Sequence, residues 1–250
     1  PPVDARLLMA FFGSCLIVFI LGRLVAWKLF GLDGAGQSLF GLGGVFSNNV
    51  LLGIPLAKVA LGEAALPSVA LVLVFNSLTL WTLVTVSVEW ARHGSFTAHG
   101  FVKTVKAVLK TPIVASILSG TLFGLSGLPV PALIDQPLAM VGTAAAPLAM
   151  IVLGMGLAEY GIREGWQISV AITAVKLLVQ PLVVWLLARL LGLPPLETQV
   201  VVLLASLAVG ANVYLMARHF KVLEGPVAGS LILSTMLSAL TTPLIVSLLG

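Results

Sequence analysis

All nine acidic residues of this chain stand at or beyond the ends of long apolar runs, and that regularity limits what the chain can fold into. They are Asp4, Asp33, Glu63, Glu89, Asp135, Glu159, Glu164, Glu197 and Glu224. Between them the sequence lays out eight apolar stretches, near 7–30, 39–61, 66–90, 112–128, 137–158, 166–191, 198–220 and 227–249. A hydrocarbon core of about 30 Å takes about 20 residues of helix, so each stretch has roughly the length of one crossing. With no water to pair with, backbone groups inside lipid must bond within their own segment, which selects helices. The expected fold class is an all-α polytopic membrane protein. Composition agrees: 59% of residues are hydrophobic and 9% charged, whereas a soluble domain carries about 25% charged residues.

The formal charge of +4 raises nucleic acid as a partner, but the basic residues stand thinly in connecting segments, and no nucleic-acid partner is expected. Their distribution is topological. If the spans alternate in direction, one side receives Arg23, Lys28, Arg92, Lys103, Lys106, Lys110, Arg163, Arg218 and Lys221, while the other receives Arg6, Lys58 and Arg189. Short cytoplasmic loops are enriched in Lys and Arg. Residues 91–111 are therefore expected to be a cytoplasmic connection, with both ends of the chain outside. The opening Pro1-Pro2-Val3-Asp4 reads as a fragment lacking its own N-terminus. A single cysteine, Cys15, excludes an internal disulfide, and His93, His99 and His219 fall in a connection or at a span end. The spacing suggests no metal site, and no cofactor is expected.

The second and seventh stretches differ from the rest. The second contains Gly41-Leu-Gly-Gly-Val-Phe-Ser-Asn-Asn-Val-Leu-Leu-Gly-Ile-Pro55, and the seventh Ala205-Ser-Leu-Ala-Val-Gly-Ala-Asn-Val-Tyr214. Helix-breaking and polar residues at membrane depth are tolerated where the backbone is buried in protein or lines a watery cavity, so both stretches mark a site. A shift of 163 positions superposes Asn49 on Asn212, Val50 on Val213, Lys58 on Lys221, Val59 on Val222, Gly62 on Gly225 and Ala65 on Ala228. Because the two stretches lie five spans apart, the second copy is inverted relative to the first. Transporters built this way bind substrate between two broken helices near the membrane midplane.

The run Ser47-Asn48-Asn49-Val50-Leu51-Leu52-Gly53-Ile54-Pro55-Leu56 resembles the Asn, four residues, Gly-Ile-Pro-Leu motif of the auxin efflux carrier family, with Asn48 at the matching asparagine. Leu109-Lys110-Thr111-Pro112, Ala146-Pro147-Leu148 with Leu153-Gly154, and Lys176-Leu177-Leu178-Val179-Gln180-Pro181-Leu182 agree in order. So do Gly210-Ala211-Asn212-Val213-Tyr214-Leu215-Met216-Ala217, Ser234-Thr235 and Thr241-Thr242-Pro243. The resemblance runs from about residue 40 to 250. It implies ten helices in two inverted five-helix repeats with two broken crossover helices, of which eight helices are represented here, and a homodimer. Its implied organisation is 1–90 as the first-repeat part of a transport bundle, 91–111 as the connection, 112–159 as scaffold and 160–250 as the second-repeat part. Bacterial members carry malonate and malate, which implies a small organic anion as substrate and a bacterial inner (plasma) membrane as location. One departure stands out: Ala208 occupies a position where the family usually has proline before the second crossover asparagine, leaving the break there to Gly210.

The candidate substrate-binding residues are Asn48, Asn49, Gly53, Pro55, Lys176, Gln180, Gly210 and Asn212. An uncharged amide can donate to a carboxylate, and the competing role for the asparagines is bonding between neighbouring helices. Gly53 and Pro55 set backbone geometry. Lys176 lies ten residues into a span that begins at Trp166, roughly 15 Å along a helix and near the middle of the core. A lysine there is expensive. It serves either as positive charge on the substrate path or as a donor to carbonyls of a broken neighbour. Ser234, Thr235, Thr241 and Thr242 read as helix-packing hydroxyls.

Three function classes compete with an anion carrier. A sodium-coupled bile-acid-type symporter would share the expected fold but lacks carboxylates in the crossovers here. A non-transporting receptor or scaffold gives no reason for two interrupted helices. An enzyme would need a nucleophile with a base or a metal motif, and the sequence offers neither.

Overall fold

The computed structural model describes residues 5–93, 115, 119–120, 122–124, 126–160 and 165–249. The expected connection beyond His93, the Leu109-to-Pro112 motif and most of the 112–128 stretch lie outside the described residues. Within them the chain is all-helical, without strands. Four helices are long and apolar enough to cross a membrane: Ala5–Phe30, Glu63–Arg92, Trp166–Leu190 and Glu224–Leu248.

The first helix, α1 (Ala5–Phe30), shows why these runs become spans. Leu7, Ala10, Phe11, Ser14, Cys15, Val18, Phe19, Gly22 and Ala26 are buried, each lying three or four residues from another of the set, the spacing of one helical face. The opposite face carries exposed Met9, Leu16, Ile20, Leu24 and Trp27. A helix apolar on both faces belongs in lipid, with one side on protein and the other on acyl chains.

The 39–61 stretch is not one helix. It comprises α2 (Gly34–Val45), a π-helical turn over Asn49–Gly53, and α3 (Ile54–Leu61). Asp33 starts α2, its side chain accepting the Gly36 N–H at 2.8 Å, as an N-cap should. A 3₁₀ turn at Glu63–Ala65 leads into α4 (Leu66–His93). After the undescribed region come α5 (Ala132–Tyr160) and a long span formed by α6 (Trp166–Ala174), a second π turn over Val175–Val179 and α7 (Gln180–Leu190). The 198–220 stretch is likewise divided, into α8 (Pro195–Ser206) and α9 (Ala211–Phe220), and α10 (Glu224–Leu249) closes the chain.

Both π turns precede a proline near the start of the next helical piece, Pro55 and Pro181. Proline lacks an N–H and its ring clashes with the carbonyl four residues back. A wider turn avoids both problems: Ile54 N–H bonds Asn49 O and Gln180 N–H bonds Val175 O, each spanning five residues. Around this frame α1 packs on α2 and α7, α2 on α4, α6 on α10, and α8 against α7 and α10. The core is apolar, centred on Phe11, Phe40, Leu42, Leu203, Leu204 and Leu207.

Charged side chains tie the ends together. Arg92 Nη2 donates to Phe220 O at 2.5 Å, and its guanidinium lies 5.5 Å from the Phe220 ring centre. This fastens α4 to the C-terminal end of α9, where a cation is favoured by the helix dipole. Arg23 Nη1 donates to Ser87 Oγ at 2.7 Å, and Ser87 Oγ lies 2.7 Å from Ser38 Oγ, linking α1, α4 and α2.

Candidate functional site

The two interruptions meet. After Val45 the backbone turns extended at Phe46 (φ −86°, ψ 105°). After Ser206 it does the same at Leu207 (φ −68°, ψ 159°), and it stays extended at Gly210 (φ −75°, ψ 143°). Ser47 and Val209 form an antiparallel β-bridge. Asn48 N–H donates to Ala208 O at 3.0 Å and Gly210 N–H donates to Phe46 O at 2.8 Å. Val209 N–H donates to Ser234 Oγ of α10 at 3.0 Å. Each break thus supplies the hydrogen bonds that the other lost, which is how non-helical backbone survives in an apolar interior.

The helix ends around the bridge fall into two sets. The C-terminal carbonyls of α2 and α8 are taken by side chains. Gln180 Nε2 donates to Val45 O at 2.9 Å, Lys176 Nζ to Ala205 O at 2.5 Å, and Thr242 Oγ1 to Ser206 O at 2.9 Å. Lys176 and Gln180 are both fully buried. At the other set of ends, the segments Asn49–Leu61 and Ala211–Phe220 begin. The first N–H groups of a helix have no partner within it and carry partial positive charge. Asn48, Asn49 and Asn212 stand at these starts. Asn49 is 2% exposed, and its Nδ2 and Oδ1 have no hydrogen-bond partner among the described residues; the same is true of Ser47 Oγ and Gln180 Oε1. An unpaired buried amide costs about 1–3 kcal/mol, so this cluster is poised to bind a polar group.

Three uncharged amides and two positive helix starts at a junction of broken helices suit a carrier site. A family model described as membrane transport protein matches residues 3–246. This chain belongs to the membrane transport protein family, the auxin efflux carriers. It is also 26% identical over 232 residues to the "Putative malonate transporter" of Rhizobium meliloti (strain 1021), an alignment that takes in 92% of this chain and 72% of that protein.

In this transporter the bridge brings Asn48 and Asn49 within a few residues of Gly210 and Asn212, with Lys176 and Gln180 at the opposite helix ends of the same junction. Asn48 and Asn212 are partly buried, and Gly53 is buried against α8. Pro55 stands apart, exposed on α3. Lys176 presents no exposed charge; its ammonium is spent on a carbonyl of the broken neighbour. Ser234 and Thr242, read from sequence as packing hydroxyls, bond the second break directly. Their places in α10 gave no hint of which carbonyl or N–H they would reach. A cavity of about 530 Å³ reaches the junction at Leu207 and Thr242; its walls are apolar apart from hydroxyls such as Thr235 and Ser238.

Proposed function

We propose that this chain is a secondary transporter for small organic anions, with the anion bound where the two broken helices cross. The observation that carries this reading is the buried Asn49 side chain, without a hydrogen-bond partner among the described residues, at the start of one half-helix, two residues after the bridge that joins it to the segment leading to Asn212. Asn48, Asn49 and Asn212 donate hydrogen bonds to a carboxylate, and the helix starts add positive potential without a charged side chain that would hold the anion too tightly. The relative named for malonate supports a carboxylate substrate.

The mechanism is alternating access. Residues 1–90 and 160–250 act as a transport bundle related by an inverted repeat, moving against a scaffold that includes residues 112–159, in a bacterial inner membrane and as a homodimer. The repeat is supported by two twelve-residue half-helices, α2 and α8, each followed by an extended break and a second half-helix.

The test is a substrate screen of the full-length protein in liposomes under an imposed voltage, with malonate, malate and succinate, and with or without proton or sodium gradients. Voltage-dependent flux of at least one carboxylate is expected. Absence of carboxylate flux under every condition contradicts the reading.

A further inference from the structure

We infer that the Lys176 side chain is a built-in replacement for a coupling cation: its ammonium fills the position at the half-helix C-termini where such carriers hold an inorganic ion. The inference rests on the anion-carrier reading. Carbonyls at the C-terminal end of a helix bear partial negative charge equivalent to roughly half an elementary charge. In carriers with broken helices, these ends and the unwound carbonyls beside them coordinate the sodium ion or proton.

Here two such ends meet, and one short segment serves both. Lys176 Nζ bonds Ala205 O near the end of α8, and Gln180 Nε2 bonds Val45 O at the end of α2. Both donors leave the chain around the widened π turn Val175–Val179, ahead of Pro181. Cys15 of α1, whose sulfur is 3.7 Å from Gln180 Nε2, packs against the same corner. The charge that offsets the α8 end is thereby covalently attached, and a neutral amide of the same segment takes the α2 end. That charge stays with the protein through the cycle, and the anion crosses with its own charge uncompensated, so Lys176 is a positioning residue that keeps the junction intact without a bound ion.

The test uses full-length protein in liposomes with malonate as probe, in media containing choline, sodium or ethylammonium as the main cation. Wild-type flux is expected to be equal in all three. Lys176→Ala is expected to lose about tenfold or more in choline, the scale of one charge-assisted hydrogen bond, and to recover several-fold in ethylammonium, which restores an ammonium in the space vacated. Lys176→Met fills that space and is expected to stay low in every medium. Wild-type flux that collapses without sodium overturns the proposal, as does wild-type flux from Lys176→Met. A folded Lys176→Ala that stays low in every medium overturns it too, since a merely structural lysine behaves that way. If wild-type protein moves none of malonate, malate and succinate, the anion reading fails separately, and thermal unfolding decides this one. Ethylammonium is expected to raise the melting temperature of Lys176→Ala and not that of the wild type; no rise overturns the proposal.

Discussion

Val209 N–H lies in the apolar interior of a membrane protein, and Ser234 Oγ at 3.0 Å is what it donates to. Replacing Ser234 with Ala removes that acceptor and leaves a buried backbone donor unpaired, a loss of about 1–3 kcal/mol. An ordinary packing hydroxyl between membrane helices contributes about 0.6 kcal/mol on average. Thermal unfolding of Ser234→Ala against Ser238→Ala separates the two cases, because Ser238 only returns a bond to Thr235 O within its own helix. We expect a clearly larger drop for Ser234→Ala; equal drops contradict the assigned role. The same residue scale shows how far the sequence could be read. Counting along its span places Lys176 at mid-depth, where a lysine serves either as substrate charge or as donor to a broken neighbour. Depth alone does not reveal orientation: a side chain of that length reaches several neighbours, and only the register of α8 selects Ala205 O.

Among elements, the crossing is the part that tolerates least change. A Cβ at Gly210 would sit 3.0 Å from Phe46 Cδ1 and 3.0 Å from Ser47 O, the latter a backbone atom fixed by the bridge. A Cβ at Gly53 would approach Leu204 Cδ2 at 2.8 Å, nominally closer, but that is the free end of a flexible side chain. Gly210→Ala should therefore separate the two breaks and abolish transport, whereas Gly53→Ala should retain a substantial part of it. Liposome flux of the two variants checks this ordering, and its reversal would show that the bridge does not limit function. Both interruptions were legible from glycine and asparagine in otherwise apolar runs. Their extent was not. The first is extended at Phe46, bridged at Ser47 and widened into a π turn over Asn49–Gly53, whereas Pro55 already belongs to α3. The second lacks proline at Ala208 and still opens fully, because hydrogen bonds from a distant segment stabilise the extended form as well as proline would favour it. Such pairing is non-local and leaves no local pattern in the sequence.

At the scale of the whole molecule, orientation follows from charge. The loop at 191–194, between α7 and α8, is expected outside, and the last turn of α9 at His219 inside, from the excess of Lys and Arg on the His219 side. The single native cysteine is buried, so Pro194→Cys and His219→Cys can be labelled in intact cells with a membrane-impermeant maleimide. Pro194→Cys should label and His219→Cys should not until the membrane is opened; the opposite pattern inverts the topology. The all-helical class and the four long apolar helices among the described residues were legible because hydrocarbon imposes length and backbone pairing on any sequence. The repeat and the resemblance imply that the two breaks meet, but the bonds that join them, Asn48 N–H to Ala208 O and Gly210 N–H to Phe46 O, required the folded chain. That meeting is the centre of the account, and it is tested most directly by malonate affinity of Asn48→Leu and Asn212→Leu, each confirmed as folded, in liposomes. Leucine matches asparagine in size and suits an apolar interior but cannot donate to a carboxylate. Removal of one donor to a charged group costs about 1.5–3 kcal/mol, which converts to roughly 10- to 150-fold weaker affinity for each variant. Wild-type affinity in both would place the anion somewhere other than the crossing.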